Sequence, residues 1–416
     1  MRGGFRQARD PVGAATIAGA KGGRGIGGLH RLADFAVEVF EGERLHRELA
    51  SIRARAPVSH ALFAGQPAIL ITGHQALAEA FRDNERFPPA DAYRITIEPV
   101  QGVTFQTMED EQHRLYRRLA TPAFRSRAVD AMEQEGLARI AHELVDRLAG
   151  TRQADLAASF THRVAFLVIS RMLGIPAHRE DVFRDWAVGF LEYPRDPEHS
   201  RRCAAQITDY LQPIIAQRRR EPRDDVVSAL VMADADGHHL TDEEILAHIR
   251  LLFSAGASTT TDALGNLLYA LLSERQRWEL LLAAPAQRGN AIEELLRWET
   301  PVAVLPRLSA PRPVEFFGVG IPPATFCLFA IAAANRDPAV FDDPDRFDLE
   351  RDSGKKLLSF GPGPRLCPGM HLARRQLAVA LDVLMARLPD LHLLDVDAAR
   401  PRGAILRGPA RLPAAW

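Results

Sequence analysis

The chain has 416 residues, 47% hydrophobic and 25% charged, which supplies a large core and excludes the composition of a disordered chain. Lysine plus arginine total 52 against 53 acidic residues, so the basic footprint of a dedicated nucleic-acid binder is missing and small molecules or proteins are the expected partners. No run approaches the roughly 18–20 apolar residues of a membrane span, and Cys203, Cys327 and Cys367 lack disulfide or zinc spacing, which fits a reducing, cytoplasmic setting without a membrane anchor.

Residues 1–30 are basic and glycine-rich, and their apolar patch AATIAGA is small for a signal-peptide core, so they read as a flexible arm. Residues 31–416 show no long linker and read as one domain. From Leu29 to about Ala56 the apolar spacing is helical, and APVSHALFAGQPAILITG then alternates around Gly65 like two short strands. Helical patterns dominate from Asp110 onward, with proline or glycine near most of their ends. In LTDEEILAHIRLLFSAGASTTTDALGNLLYALLSERQ, Thr241 can cap, Glu244 follows three residues later, and the apolar pattern predicts a long central helix. Its middle, SAGASTTT, is poor helix material. Residues 313–334 turn strand-like, NRDPAVFDDPDRFDLER is a coil held by prolines and aspartates, and MHLARRQLAVALDVLMARL is an amphipathic helix. The fold class is therefore mainly α, an α+β chain with small sheets and no repeats.

The stretch FGPGPRLCPG, residues 360–369, carries the chemistry. A loop cysteine is ordinarily a small buried hydrophobe, which suits Cys203 and Cys327. Cys367 instead lies just before the helix that starts near Met370, where free amides and the helix dipole favour a thiolate. Gly361, Gly363 and Gly369 are expected to take positive φ and bring the backbone close to something bulky and flat. An isolated buried thiolate is prohibitive in a low-dielectric medium, so a metal must share its charge. With no second cysteine or histidine at zinc spacing, an iron already held by a macrocycle fits best.

That stretch resembles the haem-binding signature F-G-x-G-x-[RH]-x-C-x-G of the cytochrome P-450 superfamily at every specified position, and the similarity continues in family order from about residue 30. The resemblance implies the fold of that superfamily, a large helical region with small sheets around a buried haem b (iron protoporphyrin IX). It implies that Cys367 ligates the iron and that Phe360, Gly361 and Gly369 pack on the cofactor. EELLRW resembles the E-x-x-R segment, which implies a buried Glu294–Arg297 pair with Arg346 as its third member. EDEQHRLYRR resembles H-x-x-x-R, which implies that His113 and Arg117, joined by Arg307 and Arg365, hold the haem propionates. AGASTT resembles A-G-x-[DE]-T-T, which implies that Ala255 and Gly256 make room for dioxygen where the helix opens, and that the Thr259 hydroxyl bridges dioxygen to water. Ser258 stands where that pattern has an acid, which puts proton delivery in question.

The implied activity is that of a soluble, monomeric monooxygenase that inserts one atom of O2 into a lipophilic small molecule, with a ferredoxin or flavodoxin and its NAD(P)H reductase as electron source. The 95–105 loop, Ala255 and Val302 to Leu305 would line the pocket under Trp186 and Phe190. Lys355, Lys356, Arg374, Arg375 and Arg118 would receive the electron donor. The alternatives are a peroxide-driven peroxygenase on the same scaffold and a non-catalytic haem-thiolate sensor.

Overall fold

The computed structural model describes residues 32–124, 136–148, 150–174, 180–191, 193 and 196–416; the arm expected over residues 1–30 lies outside them. Ala33–Trp416 form one compact unit. Its helices are α1 (Arg44–Arg53), α2 (His74–Ala80), α3 (Asp91–Thr96), α4 (Glu98–Gln101), α5 (Asp110–Ala120), α6 (Leu137–Asp146), α7 (His162–Met172), α8 (Glu180–Leu191), α9 (Pro197–Arg220) and α10 (Val226–Val231). They continue with α11 (Asp242–Leu272), α12 (Arg275–Ala283), α13 (Arg288–Trp298), α14 (Ile331–Ala334) and α15 (Met370–Arg387).

The strands are short. β1 (Val58–Phe63), β2 (Gln66–Ile71), β4 (Leu305–Leu308) and β7 (Phe326–Phe329) form one sheet in the order β1-β2-β7-β4, parallel only between β2 and β7. β3 (Gln153–Asp155), β8 (His392–Leu393) and β11 (Pro413–Ala415) form a second, and β5 (Val314–Phe316) with β6 (Val319–Ile321) and β9 (Pro401–Arg402) with β10 (Gly408–Pro409) form two-stranded ribbons.

Local chemistry accounts for the main elements. Ala64 and Gly65 both have positive φ, 51° and 74°, the turn that matches strand twist in a two-residue hairpin between β1 and β2. In α11, the Thr241 hydroxyl accepts from the Glu244 amide at 3.3 Å and the Glu244 carboxylate accepts from the Thr241 amide at 2.8 Å, a complete capping box. This helix of 31 residues runs unbroken through the core, with α7, α8, β10 and α15 among its neighbours.

Three local expectations change. The helix expected from Leu29 to Ala56 is only α1 within the described residues, because the Asp34 carboxylate binds the amides of Ala36, Ala64 and Gly65 and spends the preceding chain on the hairpin. The strand-like run of residues 313–334 ends in a helical turn, α14, at Ile331–Ala334, where alanine replaces β-formers. The 95–105 segment contains α4 and the end of α3.

Candidate active site

The Cys367 loop is pinned by its own backbone. The Cys367 amide donates to the Phe360 carbonyl at 2.9 Å, Leu366 N to Gly363 O at 3.1 Å, and Gly361 N to Leu358 O at 3.0 Å. Gly361 and Gly363 have positive φ, 65° and 118°, and a Cβ at Gly363 would sit 2.8 Å from the Phe81 carbonyl oxygen. Gly369 departs from expectation. Its φ is −83°, open to any residue, and a Cβ there would meet Cys367 Sγ at 3.9 Å, an ordinary contact; the residue caps the start of α15.

Burial pushes the Cys367 thiol up, and the Gly369 amide, Arg117 and Arg374 pull it down by less. The helix start and its amides therefore do not hold a bare thiolate on their own, in line with the expectation that a metal shares its charge. Cys203 and Cys327 are buried, and burial raises the Cys327 thiol to about 12, as befits an inert core residue.

A second group of residues converges on the same loop. Arg365 donates to the carbonyls of Phe105 at 3.0 Å and Met108 at 2.6 Å and to Glu109 Oε2 at 3.2 Å, while its Nε is buried without a partner. Arg307, buried on β4, donates to Pro89 O at 3.1 Å and lies over the Tyr93 ring, near enough to Arg365 to act on its charge. Arg117 donates to the Leu366 carbonyl at 2.5 Å, next to the cysteine. His113 on α5 is buried, and its Nε2 has no partner. Burial, then Arg365 and Arg117, lowers its pKa to about 4, so the imidazole is neutral at pH 7.

The side chains in the middle of α11 are accessible where those on either side are buried. Ala255 is exposed and Gly256, Ser258, Thr259 and Asp262 are half-buried, whereas residues 251–254 and 263–268 are buried. The Thr259 hydroxyl donates to Ala255 O at 2.8 Å and the Ser258 hydroxyl to Ser254 O at 2.7 Å, bonds one turn back along a helix that shows no opening. Thr259 Oγ1 keeps its lone pairs to accept. Gly256 lets α7 approach, since a Cβ there would sit 3.2 Å from Ile169 Cδ1.

The sequence profile of the family described as Cytochrome P450 matches residues 193–279 and 289–389. The mycinamicin IV hydroxylase/epoxidase of Micromonospora griseorubida is 36% identical over 363 residues, 85% of this chain and 90% of that one. The 6-deoxyerythronolide B hydroxylase of Saccharopolyspora erythraea is 32% identical over 386 residues, 88% of this chain and 95% of that one. The chain belongs to the cytochrome P450 family. Among solved structures, the cytochrome P450 enzyme CxnD for C–S bond formation in chuangxinmycin biosynthesis superimposes with a TM-score of 0.83 at 27% identity, covering 93% of this chain and 98% of that one.

As a cytochrome P450 the protein is a haem-thiolate monooxygenase with the fold expected from its sequence. The residues present fit that cofactor. Arg117, Arg307 and Arg365 gather around the neutral His113 with one acidic partner among them, the half-buried Glu109 on Arg365, and two buried nitrogens, His113 Nε2 and Arg365 Nε, have no acceptor among the described residues. A dianionic group supplies what they lack. Among the described residues no cluster of three His, Cys, Asp or Glu side chains can chelate a metal ion, so a macrocycle must bring the other ligands.

Other expectations resolve differently within the P450 fold. Glu294 and Arg297 are fully buried and doubly bonded at 2.7 and 2.8 Å, but the third member is Arg351, with Nε 3.3 Å from Glu294; Arg346 contributes its carbonyl, to Arg297 at 3.0 Å. Trp186 and Phe190 are core, 4% and 0% exposed, and present no surface to a cavity. In the 302–305 run only Val302 and Leu305 are open. Of the expected donor-docking cations, Arg374 is already paired with Glu293 at 2.5 and 2.9 Å and Arg118 with Asp236 at 2.6 Å. Among the described residues no helix is long and apolar enough to cross a membrane.

Three features went unread in the sequence: Arg351, the buried Glu299 with His46 and Arg407, and Asp262. Only Asp262 left a signal, as a lone acid inside an apolar helical run three residues past Thr259.

Proposed function

We propose that this cytochrome P450 inserts one atom of O2 into a lipophilic small molecule, with Cys367 as the iron ligand of haem b and a ferredoxin or flavodoxin, fed by an NAD(P)H reductase, as electron source. The observation that carries the reading is the pairing of the pinned Cys367 loop with the buried His113 and Arg307 and the half-buried Arg117 and Arg365, a cationic group in which His113 Nε2 and Arg365 Nε lack acceptors. When bound, the haem supplies the binding and two-electron activation of dioxygen.

The chain's own residues do the rest. Arg307 and Arg365 hold the propionates, and His113 donates a hydrogen bond from a neutral ring. Phe360 stacks under Arg374, whose Cζ lies 4.6 Å from the ring centroid, and stiffens the cysteine side. Ala255, Val302 and Leu305 offer an apolar wall to the substrate, in keeping with a lipophilic ligand. The two relatives, a hydroxylase/epoxidase and a hydroxylase, support oxygen insertion as the reaction.

Ser258 favours a second reading, turnover driven by hydrogen peroxide, because its hydroxyl is committed to Ser254 O and it carries no acid. Product formed with peroxide, compared with product formed through ferredoxin and its reductase, separates the two. The reduced, carbon-monoxide-bound spectrum tests both. Wild-type protein should give the band of a thiolate-ligated haem and Cys367→Ala should not; an unchanged band in the variant overturns the reading.

A further inference from the structure

Ala255, Ser258, Thr259 and Asp262 form one stripe of α11, since 3.6 residues per turn places all four within roughly 100° of arc. The stripe is open at each of these positions. Toward the C-terminus it is closed by Asn266, which is buried and donates to the carbonyls of Glu299 at 3.0 Å and Arg407 at 2.9 Å. Asp262 is thus the last accessible position of the stripe before Asn266, one helical turn from both Ser258 and Thr259 and neighbour to their side chains.

Its surroundings are those of an acid kept apart from salt bridges. Among the described residues its carboxyl has no hydrogen bond and no ion pair, and no charged side chain from any element packed on α11 acts on it. The wall opposite is β10. A Cβ at Gly408 would lie 2.4 Å from Asp262 Oδ1, so only glycine leaves the carboxyl its place. The adjacent Arg407 turns its guanidinium away to Glu299 and to the carbonyls of Phe40, Gly42 and Gly403. Burial alone pushes the Asp262 carboxyl up to about 7.

We propose that Asp262 is the proton donor of the distal pocket and takes the part that Ser258 cannot. This rests on the reading of the chain as a dioxygen-using haem enzyme. The Asp262 O–H bond breaks as an O–H bond forms on a pocket water held by Thr259 Oγ1, which accepts because its own hydrogen is given to Ala255 O. The water passes a proton on to the oxygen that leaves as water, and solvent reprotonates the carboxylate. No electrons move in this step; the two that the reaction needs come from the ferredoxin or flavodoxin.

The test uses the haem-loaded enzyme as wild type, Asp262→Asn, Asp262→Ala and the double variant Asp262→Asn with Ser258→Asp. Infrared difference spectra of wild type against D262N should show a protonated carboxyl band at pH 6 that fades as pH rises through about 7. With saturating plant-type [2Fe–2S] ferredoxin, its reductase and NADPH, oxygen consumption should fall about tenfold or more in D262N and D262A, with a larger solvent deuterium isotope effect. Ser258→Asp should restore both in the double variant, whereas a merely structural aspartate would not be rescued from a different position. Absence of the band, or unchanged rate and isotope effect in both single variants, overturns the proposal. Loss of the thiolate-type carbon monoxide band in wild type would instead overturn the cofactor reading on which it rests.

Discussion

Arg365 joins the cysteine loop to the segment before α5 through Phe105 O, Met108 O and Glu109, and burial lowers its pKa to about 10, which still leaves it charged at pH 7. A charge-assisted hydrogen bond contributes about 1.5–3 kcal/mol, so Arg365→Gln should weaken haem retention roughly 10- to 100-fold. Haem transfer to apomyoglobin measures it, and equal transfer rates for both proteins would remove Arg365 from the propionate set. The resemblance names His113, Arg117, Arg307 and Arg365 from their motif positions alone. The burial of His113 and Arg307, the two nitrogens left without acceptors and the neutral state of His113 appear only when β4, α5 and the loop are brought together.

α13 is tied to the coil that follows α14 by the Glu294–Arg297 pair. Arg297 donates to the carbonyls of Asn335 at 3.1 Å, Pro344 at 2.7 Å and Arg346 at 3.0 Å, and Glu294 accepts from Asp348 N at 2.9 Å and Ser353 Oγ at 2.7 Å. Breaking a buried pair by removing one partner leaves the other charge stranded, so Arg297→Leu should lose about 3–5 kcal/mol in urea unfolding. Arg351→Ala should lose clearly less, because Arg351 sits at 3.3 Å and is partly exposed. A loss for R297L within that of R351A would show that the pair does not hold the coil. The coil was legible as prolines and aspartates, but the arginine that reaches Glu294 was not, since position 351 carries no helical or strand register to locate it.

Glu299 holds distant parts of the chain together: Arg407 Nε bonds it at 2.6 Å and His46 Nε2 at 3.1 Å, joining α1, the end of α13 and the segment before β10. Burial would raise its carboxyl, but Arg407 and then His46 outweigh that and hold it well below the usual carboxylate range. A depressed folded pKa gives stability that is present above about pH 4.5 and lost as pH falls. Glu299→Gln should therefore lower the Tm at pH 7 and flatten the acid limb of Tm against pH; a parallel curve would sink this account. Asp262 has the opposite sign, its folded pKa being raised, so its cost to stability grows as pH climbs from about 3.8 to 7. The chain's order of residues was enough to determine the Cys367 loop, the capped span of α11 and the mainly helical class, because turn chemistry, capping and periodicity act over a few neighbours. The tertiary structure alone decided which charges are buried together, which arginine completes Glu294, and that Asp262 faces a glycine rather than a cation, because desolvation and pairing depend on residues remote in the chain.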